Sequence, residues 1–255
     1  MRTPIVTVLL LAAALGGCAG AQEQPAGPER LTVQVVETLP HDPAAFTEGL
    51  EFAGDTLYES TGLAGRSTLT AGPAGGPPRT TATLPSPLFG EGVTVLGPTL
   101  WQLTWQDGVA IERDATTLAE LRRVPFQGEG WGLSHQDGGR LVMSNGSSRL
   151  TFRDPKTFAV TGSVDVGRDQ LNELECVGGD VYANVWHTDT VLRIEAATGR
   201  ITGTIDAGQL RAKVNATGAE DVLNGIAAVP GTGDFLLTGK QWPATFRVRF
   251  VPAPA

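Results

Sequence analysis

Five short motifs carry the side chains best suited to chemistry in this chain. Each sets an acidic or amide residue among apolar and glycine neighbours: Phe46-Thr47-Glu48-Gly49-Leu50, Phe89-Gly90-Glu91-Gly92-Val93, Gly128-Glu129-Gly130-Trp131, Leu171-Asn172-Glu173-Leu174 and Leu223-Asn224-Gly225-Ile226. Counted at Glu48, Glu91, Glu129, Asn172 and Asn224, the steps are 43, 38, 43 and 52 residues. A carboxyl group in apolar surroundings has its pKa raised by desolvation, so it can give and take protons near neutral pH. An asparagine both donates and accepts hydrogen bonds. Lys240, one of three lysines, could stabilise a developing oxyanion beside Trp242. Trp101, Trp105, Trp131, Trp186, Trp242, Phe46 and Phe89 lie in or beside these segments. An aromatic cage around a few polar groups is the ordinary make-up of a small-ligand pocket. A purely structural reading also stands: glycine lets strands crowd together, and an acid or amide can bind backbone N–H groups of a neighbouring element.

Other chemistries find less support. His41, His135 and His187 show no metal-ligand spacing, and Cys176, in the apolar-flanked run Leu174-Glu175-Cys176-Val177, reads as a buried, inert thiol. No metal or cofactor is expected. Residues 72–76 (GPAGG) lack the lysine and the strand-to-helix setting of a phosphate loop. A net charge of −8 with three lysines leaves no basic stripe for nucleic acid.

The elements that must position the motifs are short strands. The chain has 33 glycines in 255 residues, nearly double the ordinary share, and only 18% charged residues, which suits a compact all-β protein. After each motif comes an apolar run: LYESTG (57–62), LWQLTW (100–105), LVMSNG (141–146), VYANVW (181–186) and FLLTGK (235–240). Third and fourth runs follow, among them VAIERD (109–114), RLTFRD (149–154), VTGSVDV (160–166) and RITGTIDA (200–207). Turn residues such as Gly54-Asp55 and Gly178-Gly179-Asp180 separate the first two runs, as hairpins require. Four strands per unit of about 40–50 residues is the arithmetic of a β-propeller blade. The expectation is a five-bladed β-propeller over 31–255. The last unit has room for three strands, and LTVQVVETL (31–39) would complete the fifth blade and close the ring. A helical turn or two is expected between Asp206 and Asp221. A repetitive β-sandwich is the competing fold.

The N-terminus reads as an address. Arg2 precedes an apolar stretch from Ile5 to Leu15, and Leu15-Gly16-Gly17-Cys18 resembles the bacterial lipoprotein box. Residues 1–17 would be a signal peptide, Cys18 the lipidated residue, and 18–30 a flexible tether. The expected location is therefore a bacterial membrane, facing the periplasm or the cell exterior. No apolar run after residue 20 is long enough to span a bilayer.

PHDPAAFTEGL (40–50), LYESTG, FGEGV, LWQLTW, EGWGL, LNELE, YANVW, LNGIA and TGKQWP, in this order across residues 31–250, resemble the plant and bacterial type of glutaminyl-peptide cyclotransferase. The resemblance implies a five-bladed propeller that turns the N-terminal glutamine of peptides or proteins into pyroglutamate and ammonia. It assigns Glu91 as proton shuttle, Lys240 as the site lysine, and Asn172 as a holder of the substrate's amide or amine. Trp105, Trp131 and Trp186 are its pocket walls, with Phe46 and Phe89 beside them. Where many relatives have glutamine, this chain has Glu48, and a carboxylate close to Glu91 would raise one of the two pKa values. A monomer is expected, with peptide substrates and the membrane as partners. A non-catalytic propeller binding peptide or sugar, and a metal-dependent lactonase-type propeller, are the alternatives.

Overall fold

Alternating burial and glycine-bearing turns divide the described residues into twenty strands and one short helix. A computed structural model describes residues 27–254; Cys18 and the signal expected over 1–17 lie outside them. β1 (Glu29–Pro40) comes before the first motif. β2 (Thr47–Ala53), β3 (Thr56–Thr61), β4 (Thr68–Gly72) and β5 (Thr80–Thr83) form a four-stranded antiparallel sheet in chain order. So do β6 (Gly90–Leu96), β7 (Thr99–Thr104), β8 (Val109–Asp114) and β9 (Glu120–Pro125). The third sheet holds β10 (Leu133–His135), β11 (Leu141–Met143), β12 (Arg149–Arg153) and β13 (Val160–Asp165). Then come β14 (Leu171–Val177), β15 (Asp180–Val185), β16 (Thr190–Glu195), β17 (Ile201–Asp206), α1 (Gly208–Val214), β18 (Leu223–Ala228), β19 (Phe235–Gly239) and β20 (Ala244–Pro252). The helix falls where the repeat step is longest.

The last two strand groups share one eight-stranded sheet, ordered β14-β15-β16-β17-β1-β20-β19-β18. β1 pairs antiparallel with β20 from Leu31↔Pro252 to Pro40↔Ala244. It also meets β17 in parallel, Glu29↔Gly203 through Thr32↔Asp206. The sheets stand in a propeller-like arrangement. Between β8 and β9, and again between β12 and β13, an aspartate (Asp114, Asp154) accepts the N–H groups of the turn that follows it. This local satisfaction of backbone donors is how a short Asx-type turn holds its shape.

The apolar side chains gather between successive strand groups. Tyr58 and Leu69 pack with Val93 and Leu100. Trp101 and Leu103 pack with Leu133 and Leu141, Val142 and Leu150 with Leu174 and Ile194, and Val191 and Ile205 with Leu223 and Phe235. A fifth cluster joins the last group to the first, and its buried members are only Leu50, Ala227 and Leu236.

The first strands of the groups approach one another closely. A Cβ on Gly92 would lie 2.4 Å from the Leu133 nitrogen, and one on Gly132 would lie 2.1 Å from the Asn172 carbonyl oxygen. Only glycine fits contacts this short.

Candidate active site

The chemistry-bearing residues sit where strands start badly. Glu48, Glu91, Asn172 and Asn224 are each the second residue of the first strand in their group. In each case the pairing with the next strand slips there: between Thr47 and Gly49, Gly90 and Val93, Leu171 and Leu174, and Leu223 and Ile226. A bulge of this kind frees a residue from the ladder and re-aims its side chain. Lys240 follows the end of β19 and arrives from the opposite direction of the same hairpin.

These groups meet out of water. Glu48 and Lys240 are 1% and 5% exposed, and the Lys240 Nζ donates to Glu48 Oε1 at 2.6 Å. The ammonium also lies 4.6 Å from the centre of the Phe46 ring, a cation–π contact. Asn224 Nδ2 donates to the Thr47 carbonyl at 2.9 Å and to Glu48 Oε2 at 3.3 Å. Glu91 is also buried, and it lies close enough to Glu48 for the charge of one to raise the pKa of the other. Glu91 Oε2, Asn172 Oδ1 and Asn224 Oδ1 are buried without a hydrogen-bond partner. Unsatisfied acceptors of this sort are costly and call for a donor.

Burial pushes the Glu48 carboxyl up to about 7, and the adjacent Lys240 holds it from going further. Glu91 is pushed well above the ordinary carboxylate range, first by burial and then by the charge of Glu48. Like charges in one dry site separate their titrations in this way. Of the two, Glu91 holds its proton more strongly, and Glu48, beside Lys240, gives up its proton more readily.

The aromatic side chains form a chain around this floor. Phe46 and Phe89 meet edge-on at 6.2 Å, and Phe89 meets Trp105 at 5.5 Å. Trp131 and Trp186 meet edge-on at 5.4 Å. The two sets are joined by Glu129, whose Oε2 accepts both indole N–H groups of Trp105 and Trp131 at 2.9 Å. The Gly92 N–H donates to the Trp131 carbonyl at 2.7 Å, fixing this wall beside Glu91. A family model described as glutamine cyclotransferase matches residues 9–250. A glutaminyl-peptide cyclotransferase of Arabidopsis thaliana is 38% identical over 235 residues, covering 88% of this chain and 72% of the relative. The chain belongs to the glutamine cyclotransferase family. The crystal structure of Myxococcus xanthus glutaminyl cyclase superposes with a TM-score of 0.83 at 39% identity, covering 89% of this chain and all of the other.

Among residues singled out from the sequence, Glu48, Glu91, Lys240 and Phe46 converge directly. Phe89, Trp105, Trp131 and Trp186 line the rim. Asn172 is buried at the start of β14, its backbone carbonyl against Gly132. Two tryptophans are not part of the cage. Trp101 is fully buried against Phe158, and Trp242 packs on Phe246 with its indole N–H on the Asp221 carbonyl. Their apolar bodies are core, and their polar tips find backbone. The third motif also departs from the others. Glu129 lies in the connection before β10, outside the ladder, and serves the rim instead of the floor. In the sequence Asn224 is only a repeat marker, and its place as the fifth member of the series that starts at Glu48 is the signal that marks it.

The structural role for such side chains is also filled, by their neighbours. Glu173 accepts the N–H groups of Leu50 and Ile226, Glu51 that of Val95, and Glu175 that of Ala228. These side chains stitch different strand groups together in this glutamine cyclotransferase fold, which leaves Glu48 and Glu91 for other work. Burial pushes the Cys176 thiol up, so little reactive thiolate forms.

Proposed function

We propose that this site converts the N-terminal glutamine of peptides to pyroglutamate. The observation that carries the reading is the buried Glu91 beside Glu48 and Lys240, with one oxygen unpartnered in an aromatic surround and its hold on a proton strengthened by burial and by the charge of Glu48. Family membership supports the same activity. A substrate α-amine has a pKa of about 7.7–8.0, so a useful fraction is neutral at working pH. Its nitrogen attacks the side-chain amide carbon, forming the ring C–N bond. Lys240 donates to the oxygen that becomes negative. Glu91 gives its proton to the amide nitrogen, the old C–N bond breaks, and ammonia leaves. The attacking nitrogen returns a proton to Glu91, so the carboxyl ends as it began. Asn172 Oδ1 and Asn224 Oδ1 supply acceptors for the substrate's N–H groups, and the rings of Phe46, Phe89, Trp105, Trp131 and Trp186 cover its methylenes.

The strand order supports a five-bladed propeller. β1 lies beside β20 as the fourth strand of the last group, and five apolar clusters link the groups in a cycle. Cys18 is proposed as a lipid attachment site on the lipobox-like run before it. Cys18→Ser should yield a soluble form or an unprocessed precursor on membrane fractionation, and persistence of a lipid-modified product would refute the anchor.

The test of activity is direct. The purified chain is incubated with a Gln-initiated dipeptide, with and without chelator, and ammonia is followed. Release in both arms is expected. No release leaves a binding propeller, and release lost on chelation points to metal-dependent chemistry.

A further inference from the structure

The turn that carries Lys240 is four residues long and lies outside the strands, since β19 ends at Gly239 and β20 begins at Ala244. Gln241 in it adopts a left-handed φ of 59°. The turn is held to the residues just before β18 by the Lys240 N–H on the Val222 carbonyl and the Trp242 indole N–H on the Asp221 carbonyl. It is also fastened to the segment between β1 and β2: Gln241 N–H donates to the Ala45 carbonyl at 2.7 Å, and His41 N–H donates to the Pro243 carbonyl at 3.1 Å. The third fastening is the His41 ring. Its Nδ1 is 2.6 Å from the Trp242 carbonyl oxygen and its Nε2 is 2.8 Å from Glu59 Oε1.

Both of those partners are acceptors. A carbonyl oxygen cannot donate, so Nδ1 carries a hydrogen. Glu59 Oε1 already accepts the Thr47 hydroxyl at 2.7 Å, so Nε2 carries one as well. A ring donating from both nitrogens is an imidazolium. Thr47 is the neighbour of Glu48, and its carbonyl takes the Asn224 amide. The network therefore runs from the Lys240 turn to the strand start that carries the lysine's own partner.

We propose that His41 is a positioning residue for Lys240: its imidazolium, held between Glu59 and the Trp242 carbonyl, fixes the turn on which the lysine stands. The proposal rests on the cyclase reading for what Lys240 does, and on geometry alone for the clamp. Its location explains the need. The apolar cluster joining the last strand group to the first is the smallest of the five, and beside it runs a groove of about 490 Å³ lined by His41, Glu59, Leu63, Arg66 and Thr245. Polar bonds do there what side-chain packing does at the other four junctions. Burial would push the imidazole pKa down, but the hydrogen bond and charge of Glu59, the Trp242 carbonyl and the nearby Asp42 outweigh it, and the ring ends above its ordinary value. Arg66 lines the same groove, and β19 contributes the Thr238 hydroxyl at 3.5 Å from Nδ1.

The test uses His41→Gln and Glu59→Gln in the full chain, with two readouts. Steady-state kinetics on a Gln-initiated dipeptide should show kcat reduced about 10- to 100-fold with KM changed little, the size expected for a misplaced catalytic group. The double variant should be no worse than either single one, because both remove one clamp. The second readout needs no turnover. Nitrogen-15 NMR at pH 7 should find both His41 ring nitrogens protonated in the wild type, with the ring neutral in Glu59→Gln. Amide hydrogen exchange across residues 238–245 should speed up at least about tenfold in both variants. A neutral wild-type ring, or unchanged exchange in that turn, overturns the clamp whatever the activity. Wild-type chain that releases no ammonia but shows the imidazolium and the exchange change would sink the cyclase reading and leave the clamp. Unchanged kcat alongside faster exchange would overturn the assigned consequence for Lys240.

Discussion

Two carboxyl groups that face each other away from water compete for one proton, and a lysine decides which of them loses it. Lys240 bonds to Glu48 at 2.6 Å, so Glu48 ionises more readily and Glu91 is the stronger holder of the proton. Replacing Glu91 by Gln keeps size and removes the proton that travels. The expected result is a fall in kcat of about 10²- to 10⁴-fold with KM little changed, measured by ammonia release from a Gln dipeptide. If Glu91→Gln turns over normally while Glu48→Gln does not, the shuttle belongs to the first motif. Glu48→Gln has a further effect whose sign can be worked out. The charge of Glu48 raises the Glu91 pKa, and Lys240 lowers it. Removing the anion takes away one upward push while burial, Glu129 and Lys240 stay in place, so Glu91 loses its proton at a lower pH. The alkaline limb of the kcat–pH profile should therefore move to lower pH. A limb that stays in place would show that Glu48 does not set it.

At the scale of elements, the slipped starts of β2, β6, β14 and β18 turn a repeated sequence into a converging site. Their close approach depends on backbone with no side chain in the way. Gly132→Ala would put a Cβ 2.1 Å from the Asn172 carbonyl. Overpacking of this kind costs about 1–3 kcal/mol, so thermal unfolding should come several degrees lower. Activity should fall as well, since Asn172 must shift; a variant with wild-type melting and turnover would contradict the tight packing. Much of this was legible in the sequence. The motif spacing located Glu48, Glu91, Asn172 and the strands around them, and the three-strand last unit pointed to LTVQVVETL as its missing neighbour. Other parts were not. A tryptophan in a strand looks the same whether it faces the rim or the core, so Trp101 and Trp242 could be separated from Trp131 only by packing. Glu129 shares its spacing with Glu91 but lacks a strand beneath it, and the following β10 is only three residues long. His41 and Glu59 are eighteen residues apart, with no periodic signal to join them.

For the whole molecule, the ladder between β1 and β20 joins the two ends of the described chain. Removing residues 31–39 takes away the strand paired along β20 and exposes that edge. The truncated chain should unfold or aggregate, as followed by circular dichroism and light scattering during a thermal ramp. Retention of wild-type thermal stability would refute closure by β1. The same pairing also sets a timetable. Leu31 faces Pro252, so β1 waits for β20 before its antiparallel ladder can form. The equilibrium penalty for so long a loop is modest, because closure entropy grows by only about 0.6 kcal/mol per doubling of length. The penalty in time is larger, since contacts between distant residues slow folding. A ribosome-bound chain that has not yet released β20 cannot form this ladder, so β1 stays without its antiparallel partner until residue 252 has left the ribosome.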